Sequence, residues 1–233
     1  MAEPLPEHQR FSLIIPVLNE AACLEKTLAG LFSNPWIKNH CEVVIADGGS
    51  NDGSREIAAT YPCRLLQCER GRAAQMNAAS RVADGEMLLF LHADSQLPEN
   101  FGDSIPADAG WGFFRLRLDG GAAIFRLIES AINLRTRLSR VAGGDQGLFF
   151  SRKLFDSLGG FPQIPLMEDV AICKLARQRA APLIVDSRIV SSSRRWQERG
   201  VVRTVLLMWS LRLAYWLGVD PVRLHRIYYP EHG

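Results

Sequence analysis

Apolar and polar residues alternate along the first half of the chain in blocks that predict strands separated by helices. The clearest block is 87–91, a run of five apolar residues that stops at His92 and Asp94. A short apolar run bounded by polar residues is typical of a central strand buried on both faces of a parallel sheet. Three further strands are predicted at 11–17, 42–46 and 64–67.

Helices are predicted between these strands, at 20–32, from 54 to about 60 and at 71–83. Asn19 is the predicted N-cap of the first of them. Strands and helices that alternate with short connections predict an α/β domain with a mostly parallel central sheet and right-handed crossovers.

The second half of the chain is less regular. Its predicted strands lie at 111–118, 147–151 and 182–186. Its predicted helices lie at 122–138, 152–158, 167–179 and 201–217. The predicted organisation is therefore a flexible leader at 1–10, a single α/β domain flanked by helices at 11–200 and a C-terminal helical tail at 201–233.

Composition narrows the class of protein. The chain has 233 residues, of which 47% are hydrophobic, and its net charge of +2 gives no support for a nucleic-acid partner. Its five cysteines form no CxxC pair, and no signal peptide is evident, so free thiols in the cytoplasm are predicted. The tail helix is apolar on more than one face, which predicts docking on the domain, dimerisation or peripheral contact with the inner face of a membrane.

Acidic side chains follow several of the predicted strands. Because the carboxyl ends of parallel strands meet at one edge of a sheet, Glu20, Asp47 and Asp94 are expected to border one crevice. The simpler alternatives are that Glu20 is a helix first-turn acid and that 47–53 is a plain turn. Neither GxGxxG nor GxxxxGK[ST] occurs, so a dinucleotide fingerprint and a P-loop are both unsupported.

Further candidate residues are charged or lie at turns. Arg72 opposes the dipole of its helix, which indicates an anionic neighbour unless it is simply solvated. Glu168 and Asp169 form either a helix cap or a general base with a pKa raised by its like-charged neighbour. Arg195 and Trp196 indicate a diphosphate or acceptor contact, or else a basic surface turn.

Taken in order, these motifs resemble a family 2 glycosyltransferase of the GT-A (Rossmann-like) fold. The matching segments are Ile14–Glu20, Asp47–Gly53, Gly71–Asn77, His92–Asp94, Glu168–Asp169 and Arg195–Trp196. The whole chain is most similar to a small bacterial subgroup, some of whose members are labelled as arsenosugar-biosynthesis-associated glycosyltransferases. The shared segments are Gly-Arg-Ala-x-Gln-Met-Asn, Leu-His-Ala-Asp, Gly-Asp-Gln and Leu-Met-Glu-Asp.

The resemblance implies a role for each matching residue. Nucleotide binding is implied for Pro16, Val17, Glu20, Asp47, Arg72 and Asn77. Asp94 and His92 would bind a divalent cation, Mn²⁺ or Mg²⁺. Asp169 would be the catalytic base, supported by Glu168. Diphosphate or acceptor contacts are implied for Arg195, Trp196, Asp145 and Gln146.

The implied activity is inverting transfer of a sugar from a nucleotide-diphosphate-sugar donor, with a UDP-sugar favoured, to an unidentified acceptor hydroxyl. Two departures from the family pattern matter. His92 replaces the first carboxylate of the DxD motif, and Ser192 replaces the glutamine of the QxxRW motif of processive members, so a single transfer is expected. The alternatives are a nucleotidyltransferase and a non-catalytic nucleotide- or sugar-binding module.

Overall fold

A computed structural model describes residues 11–99 and 101–229. The predicted leader at 1–10 lies outside these residues, as does the end of the tail. The strands are β1 Phe11–Val17, β2 Cys41–Asp47, β3 Arg64–Gln67, β4 Met87–Phe90, β5 Trp111–Leu118, β6 Leu148–Ser151 and β7 Leu183–Ser191.

The described residues form one seven-stranded sheet in the order β3-β2-β1-β4-β6-β5-β7. Strands β1 to β4 run parallel to one another, and β5 pairs in parallel with β7. Strand β6 runs antiparallel to both of its neighbours, β4 and β5. The prediction of a mostly parallel sheet is confirmed, with one reversed strand inside it.

Helices flank this sheet and continue into the tail. They are α1 Ala21–Ser33, α2 Pro35–His40, α3 Ser54–Ala59, α4 Arg72–Val82, α5 Ala123–Ser139, α6 Arg152–Ser157, α7 Glu168–Ala176, α8 Arg194–Arg199, α9 Val201–Trp216 and α10 Pro221–Tyr228. Single 3₁₀ turns occur at Gly102–Ser104 and Gly144–Gln146.

The structure corrects several local predictions. Helices α2 and α10 were not predicted, and α8 lies where a basic surface turn was one of the two alternatives. Asn19 does not cap α1, because its backbone is left-handed, with a φ of 56°, and its side chain accepts a hydrogen bond from the N–H of Asn51. Strand β7 extends five residues beyond the predicted end at 186, because Arg115–Leu118 of β5 pairs with Arg188–Ser191.

The sheet is covered on both faces. Leu13 and Ile15 of β1 pack with Leu24 and Leu28 of α1 on one face. Ile14 points to the opposite face, into the cluster that includes residues of α4 and the Phe90 side chain of β4. All of these side chains are buried, which explains why the strands read as continuous apolar runs rather than as alternating ones.

The strand order creates a switch point between β1 and β4. From β1 the chain adds β2 and β3 on one side, and it then returns to place β4 on the other side. Open α/β sheets form a ligand-binding crevice at the carboxyl edge where the strand order reverses in this way. The loops after Val17 and Phe90 border this crevice.

Gly112 of β5 tests the packing at the far side of the sheet. A Cβ at this position would lie 2.1 Å from the backbone oxygen of Leu183 and 2.5 Å from the ring of Phe149. Neither neighbour retreats easily, so Gly112→Ala is expected to lower the free energy of unfolding by about 1–3 kcal/mol. Gly30→Ala is the matched control, because Gly30 lies in α1 with nothing within 4 Å of the added Cβ. Gly30→Ala should raise the free energy of unfolding, measured with urea, by up to about 1 kcal/mol. Equal effects of Gly112→Ala and Gly30→Ala would contradict the close packing around Gly112.

Candidate active site

The loops after β1 and β2 are tied together by side chains of the β2–α3 loop. The N–H of Asn19 donates to Ser50 Oγ at 3.0 Å, and the N–H of Glu20 donates to Ser54 Oγ at 2.9 Å. The N–H of Ala21 donates to a carboxylate oxygen of Asp52 at 2.9 Å. The N–H groups of the two residues before α1 and the first N–H group of α1 are therefore satisfied from the neighbouring loop, which fixes one wall of the crevice.

Asp47 ends β2 in this wall and is only 1% exposed. Its carboxylate accepts hydrogen bonds from the N–H groups of Gly49 and Ser50 and lies 3.9 Å from Nε of Arg55. These contacts hold the turn that follows. In the sheet register Asp47 is the partner of Val17, so the two predicted nucleotide-binding positions lie side by side.

Glu20 lies across the wall from α8. Its Oε2 is 3.8 Å from a guanidinium nitrogen of Arg194 and accepts a hydrogen bond from the Cys23 thiol at 3.2 Å. Burial, together with this carboxylate, raises the pKa of Cys23 to about 12. Sequence reasoning selected Arg195, whose side chain lies outside the described part of the chain, and missed its neighbour Arg194.

Gln75 is a second residue that sequence reasoning missed. Its side-chain amide is buried and donates to the backbone oxygens of Val17 and Ala46, at 2.8 and 2.7 Å. Helix α4 thereby clamps the carboxyl ends of β1 and β2 at the crevice. The sequence contained one indication of this role, because Gln75 is a polar residue between the apolar residues Ala74 and Met76.

The Asn77 side chain is held by the backbone of Phe161. Its amide is buried, donates to the backbone oxygen of Phe161 and accepts from the Phe161 N–H, both at 2.8 Å. The position of a Cβ on Gly160 lies 2.6 Å from the Asn77 oxygen, so the segment packs closely on this side chain. Both ends of the amide thus bond to the backbone, and we assign Asn77 to holding this segment. Its contact with a nucleotide stays a prediction.

The Gln146 side chain is held by the backbone in the same way. It is fully buried, donates to the backbone oxygen of Phe114 at 3.1 Å and accepts from the N–H of Gly143 at 3.3 Å. The side chain supports the 3₁₀ turn at Gly144–Gln146 from within. Its contact with a diphosphate or an acceptor stays a prediction.

Asp169 and Glu168 begin α7 on the other side of the crevice. Met167 precedes them in a left-handed conformation, with a φ of 71°, which turns the chain into the helix. One oxygen of Asp169 accepts the N–H of Gly144 at 2.8 Å, which attaches the carboxylate to the turn before β6. Glu168 is buried and lies 3.9 Å from Nε of Arg72.

Arg72 therefore faces the carboxylate pair rather than the wall that holds Asp47. Its side chain is 42% exposed, whereas that of Glu168 is buried, so the ion pair is open to solvent on the side of Arg72. The anionic neighbour that the sequence indicated for this arginine is Glu168. A border with the nucleotide remains a prediction.

The ring of His92 lies close to Gly144, near the carboxylates of Glu168 and Asp169. A Cβ on Gly144 would lie 2.7 Å from Nε2 of His92, so only glycine lets the turn approach the ring. His92, Arg72, Glu168 and Asp169 line one small cavity with Gly144. Four predicted site residues from three separate parts of the sequence are thus brought together.

Buried carboxyl groups give this side of the crevice unusual acid–base properties. Burial, together with Asp169, raises the pKa of Glu168 to about 7. Burial also raises the pKa of Asp145 to about 6, although Arg135 opposes the shift. Carboxyl groups that titrate near neutrality in a crevice are typical of functional sites.

Comparison with known proteins agrees with this geometry. Residues 12–102 match the family described as "Glycosyl transferase family 2". The chain is 30% identical over 177 residues to the PGL/p-HBAD biosynthesis glycosyltransferase Rv2957 of Mycobacterium tuberculosis (strain ATCC 25618 / H37Rv). That alignment covers 69% of this chain and 64% of the relative. This chain belongs to glycosyl transferase family 2.

Two solved structures share its fold. One is a mannosyltransferase from Pyrobaculum calidifontis in complex with GDP-Man and Mn²⁺, with a TM-score of 0.63 and 22% identity, covering 97% of this chain and 65% of that one. The other is S. aureus TarS 1–349 in complex with UDP-GlcNAc, with a TM-score of 0.63 and 18% identity, covering 78% and 58%. The predicted GT-A fold is confirmed. The chain spans less than two thirds of the length of the family relatives it matches.

The metal-binding residues predicted for this family 2 chain lie at the end of β4. Residues 11–99 and 101–229 contain no group of three or more His, Cys, Asp or Glu side chains that could hold a metal ion. Mn²⁺ and Mg²⁺ are often bound by one or two carboxylates together with substrate phosphates. Asp94 suits such a shared site, whereas Nε2 of His92 is directed at the Gly144 turn.

The tail helix of this family 2 chain docks beside the site. Leu211 of α9 is buried in the core, and Lys174 of α7 lies 4.6 Å from the centre of the Tyr215 ring. A guanidinium nitrogen of Arg212 is 3.3 Å from the position of a Cβ on Gly143. Trp196 packs partly buried against the other side of the core. Among the described residues, no helix has both the length and the apolar character needed to cross a membrane.

The raised pKa of Glu168 predicts a pH dependence of stability. The folded protein holds this proton more tightly than the unfolded chain, so the free energy of unfolding should fall as the pH rises from the ordinary value of 4.5 to about 7. In Glu168→Gln this pH dependence should be smaller. The variant should therefore lose less free energy of unfolding than the wild type between about pH 5 and about pH 8. Urea unfolding in the presence of EDTA, at about pH 5 and about pH 8, measures the free energy of unfolding of each protein. Glu25→Gln, an exposed control in α1, should leave the slope unchanged, and a wild-type slope in Glu168→Gln would refute the assignment.

Proposed function

We propose that this chain transfers a sugar from a nucleotide-diphosphate-sugar donor to an acceptor hydroxyl, with inversion at the anomeric centre. The order of the strands at the crevice is the observation that carries the proposal. Strands β2, β1, β4 and β6 are neighbours, and their edge presents Asp47, Glu20, Asp94 and the Gly144 turn in that order. Three strand spacings span about 14 Å, which suits an extended donor with its nucleoside, diphosphate and sugar in sequence.

The nucleoside end lies along the wall made by Pro16, Val17, Glu20 and Asp47. Carboxylates accept hydrogen bonds from base N–H groups and ribose hydroxyls, so an acidic wall is a suitable partner. The hydrogen bonds from Gln75 and the β2–α3 loop hold this wall before the donor arrives, which reduces the ordering cost of binding. A UDP-sugar is the favoured donor, and GDP-sugars are the first alternative to measure.

The diphosphate lies at Asp94, which would hold a divalent cation jointly with the phosphate oxygens. When bound, the cation neutralises the charge that develops on the departing diphosphate. Arg72 is a nearby cation on the side of Glu168 and Asp169. Arg195, Trp196 and Asp145 remain predicted contacts for the diphosphate or the acceptor.

Asp169 is the general base. Its hydrogen bond from Gly144 fixes one oxygen of the carboxylate toward the turn. Burial and the neighbouring Asp169 raise the pKa of Glu168 to about 7, so Glu168 keeps its proton to a higher pH than an ordinary glutamate does. Asp169 accepts the proton of the acceptor hydroxyl. At the same time the oxygen of that hydroxyl forms a bond to the anomeric carbon, and the bond from the anomeric carbon to the diphosphate oxygen breaks.

Donor turnover tests this proposal against the two alternatives. The purified chain is incubated with UDP-glucose, UDP-GlcNAc or GDP-mannose and Mn²⁺, and the released nucleoside diphosphate is measured. Slow release with water as the acceptor is expected. Binding without release would support a non-catalytic module. Pyrophosphate formed from a nucleoside triphosphate and a sugar phosphate would support a nucleotidyltransferase.

A further inference from the structure

Helix α9 has one face on the protein and one face in solvent. Thr204 and Leu211 are buried, and Val205 and Met208 pack partly buried against the core. The opposite face carries large apolar side chains that are 58–72% exposed. We call it the α9 stripe, and it consists of Val202, Leu206, Trp209, Leu213, Trp216 and Leu217.

The α9 stripe is continuous along the helix. Successive members from Val202 to Trp216 are three or four residues apart, so they lie on one face over a length of about 21 Å. Single exposed apolar residues are normal on protein surfaces, whereas a contiguous row of this length marks an interaction surface.

The charge around the stripe indicates what covers it. Residues 201–229 contain four arginines and one aspartate, a net charge of +3 in a chain whose total is +2. Arg203, Arg223 and Arg226 are exposed, whereas the guanidinium group of Arg212 approaches Gly143 at the crevice. In a two-fold dimer built on this stripe the same cationic surface would face itself, which is unfavourable. An anionic surface is complementary to it.

We propose that the α9 stripe docks in the interfacial region of an anionic lipid bilayer. Tryptophan is favoured at that level because its ring is apolar and its N–H is polar, and the stripe holds two, Trp209 and Trp216. Arginines can extend along an apolar surface while their guanidinium groups reach the lipid headgroups. The buried face of α9 stays on the domain, so the helix lies along the membrane.

The proposed membrane surface adjoins the crevice. Arg212 of α9 approaches Gly143, next to the turn whose N–H holds Asp169. Tyr215, on the same helix, contacts Lys174 of α7. Docking would therefore bring the base side of the crevice close to the lipid headgroups. Membrane docking by the α9 stripe is independent of the proposed sugar transfer, because membrane binding is measured without a donor.

Vesicle flotation of the full chain tests the proposal. Strong binding is expected to vesicles of phosphatidylcholine mixed with phosphatidylglycerol, weakening as salt rises, and little binding to phosphatidylcholine alone. The double variant Trp209→Gln and Trp216→Gln should bind the mixed vesicles at least about tenfold more weakly. Leu65→Gln is the control, because Leu65 is an exposed apolar residue of β3, at the sheet edge opposite β7.

Thermal unfolding verifies that the variants fold, as expected for exposed positions. No binding to the mixed vesicles, equal binding by the double variant, or an equal loss in Leu65→Gln would each overturn the proposal. Analytical ultracentrifugation without lipid provides an independent measurement. A monomer is expected, and a dimer that the tryptophan changes dissociate would assign the stripe to self-association instead.

Discussion

Replacing Asp169 with asparagine is expected to lower turnover by about 10²–10⁴-fold and to leave donor affinity unchanged. Asparagine has nearly the same shape and can still accept the Gly144 N–H, so the turn keeps its position. What it lacks is the ability to take a proton from the acceptor hydroxyl. The measurement pairs release of the nucleoside diphosphate with calorimetric titration of the donor.

Asp156→Asn is the matched control for this loss. Asp156 is an exposed carboxylate of α6, so the same chemical change there should leave turnover at the wild-type level. If Asp169→Asn retains near-wild-type turnover, the general base is another group. If it loses donor affinity instead, Asp169 acts in binding and the proposed chemistry is wrong.

Replacing Asn77 with alanine is expected to lower the free energy of unfolding by roughly 2–6 kcal/mol, since each buried polar group left without a partner costs about 1–3 kcal/mol. The change removes both hydrogen bonds to Phe161. Phe161 packs edge-on against Phe90, 4.8 Å between ring centres, so the loss also loosens the core beneath the crevice. Urea unfolding measures the destabilisation.

Two further variants separate structure from binding at this position. Asn77→Asp keeps the acceptor for the Phe161 N–H but places a buried carboxylate oxygen against the Phe161 carbonyl oxygen, so it should also destabilise the fold. Asn51→Ala, on an exposed loop, should cost little. Because we assign Asn77 to structure, the folded fraction of Asn77→Ala should bind donor with unchanged affinity. A stable variant with weakened donor binding would instead favour the nucleotide contact implied by the family resemblance.

The sequence pattern predicted most of the sheet because a strand that is buried on both faces has a continuous run of apolar residues. The bounds of β1 and β3 agree with the prediction, and β4 differs by one residue. The reversal of β6 could not be predicted, since the apolar run 148–150 suits either strand direction. Helices α2 and α10 are too short to show periodicity. Each nevertheless begins with a proline after an Asn or Asp cap, at Asn34 and Asp220, which is a recognisable helix start.

The site was predictable only where chain position decides it. Residues that follow parallel strands must gather at one edge, and this rule alone predicts that Asp47 and Asp94 lie at one crevice. The partners of buried amides are different, because they lie far away in sequence. Asn77 bonds a residue 84 positions away, and Gln75 bonds one 58 positions away. No local pattern distinguishes such a structural amide from one that binds a ligand.

Donor and metal binding at Asp94 is the central claim, and a thermal-shift titration tests it most directly. Wild type, Asp94→Ala and the exposed control Asp108→Ala are melted with UDP-, GDP- and dTDP-sugars, with and without Mn²⁺. We expect one donor to raise the wild-type Tm by roughly 5–10 °C at a hundredfold excess over Kd, only with Mn²⁺ present. Asp108→Ala should respond like wild type and Asp94→Ala should not. No shift with any nucleotide sugar, or an undiminished shift in Asp94→Ala, would contradict the account.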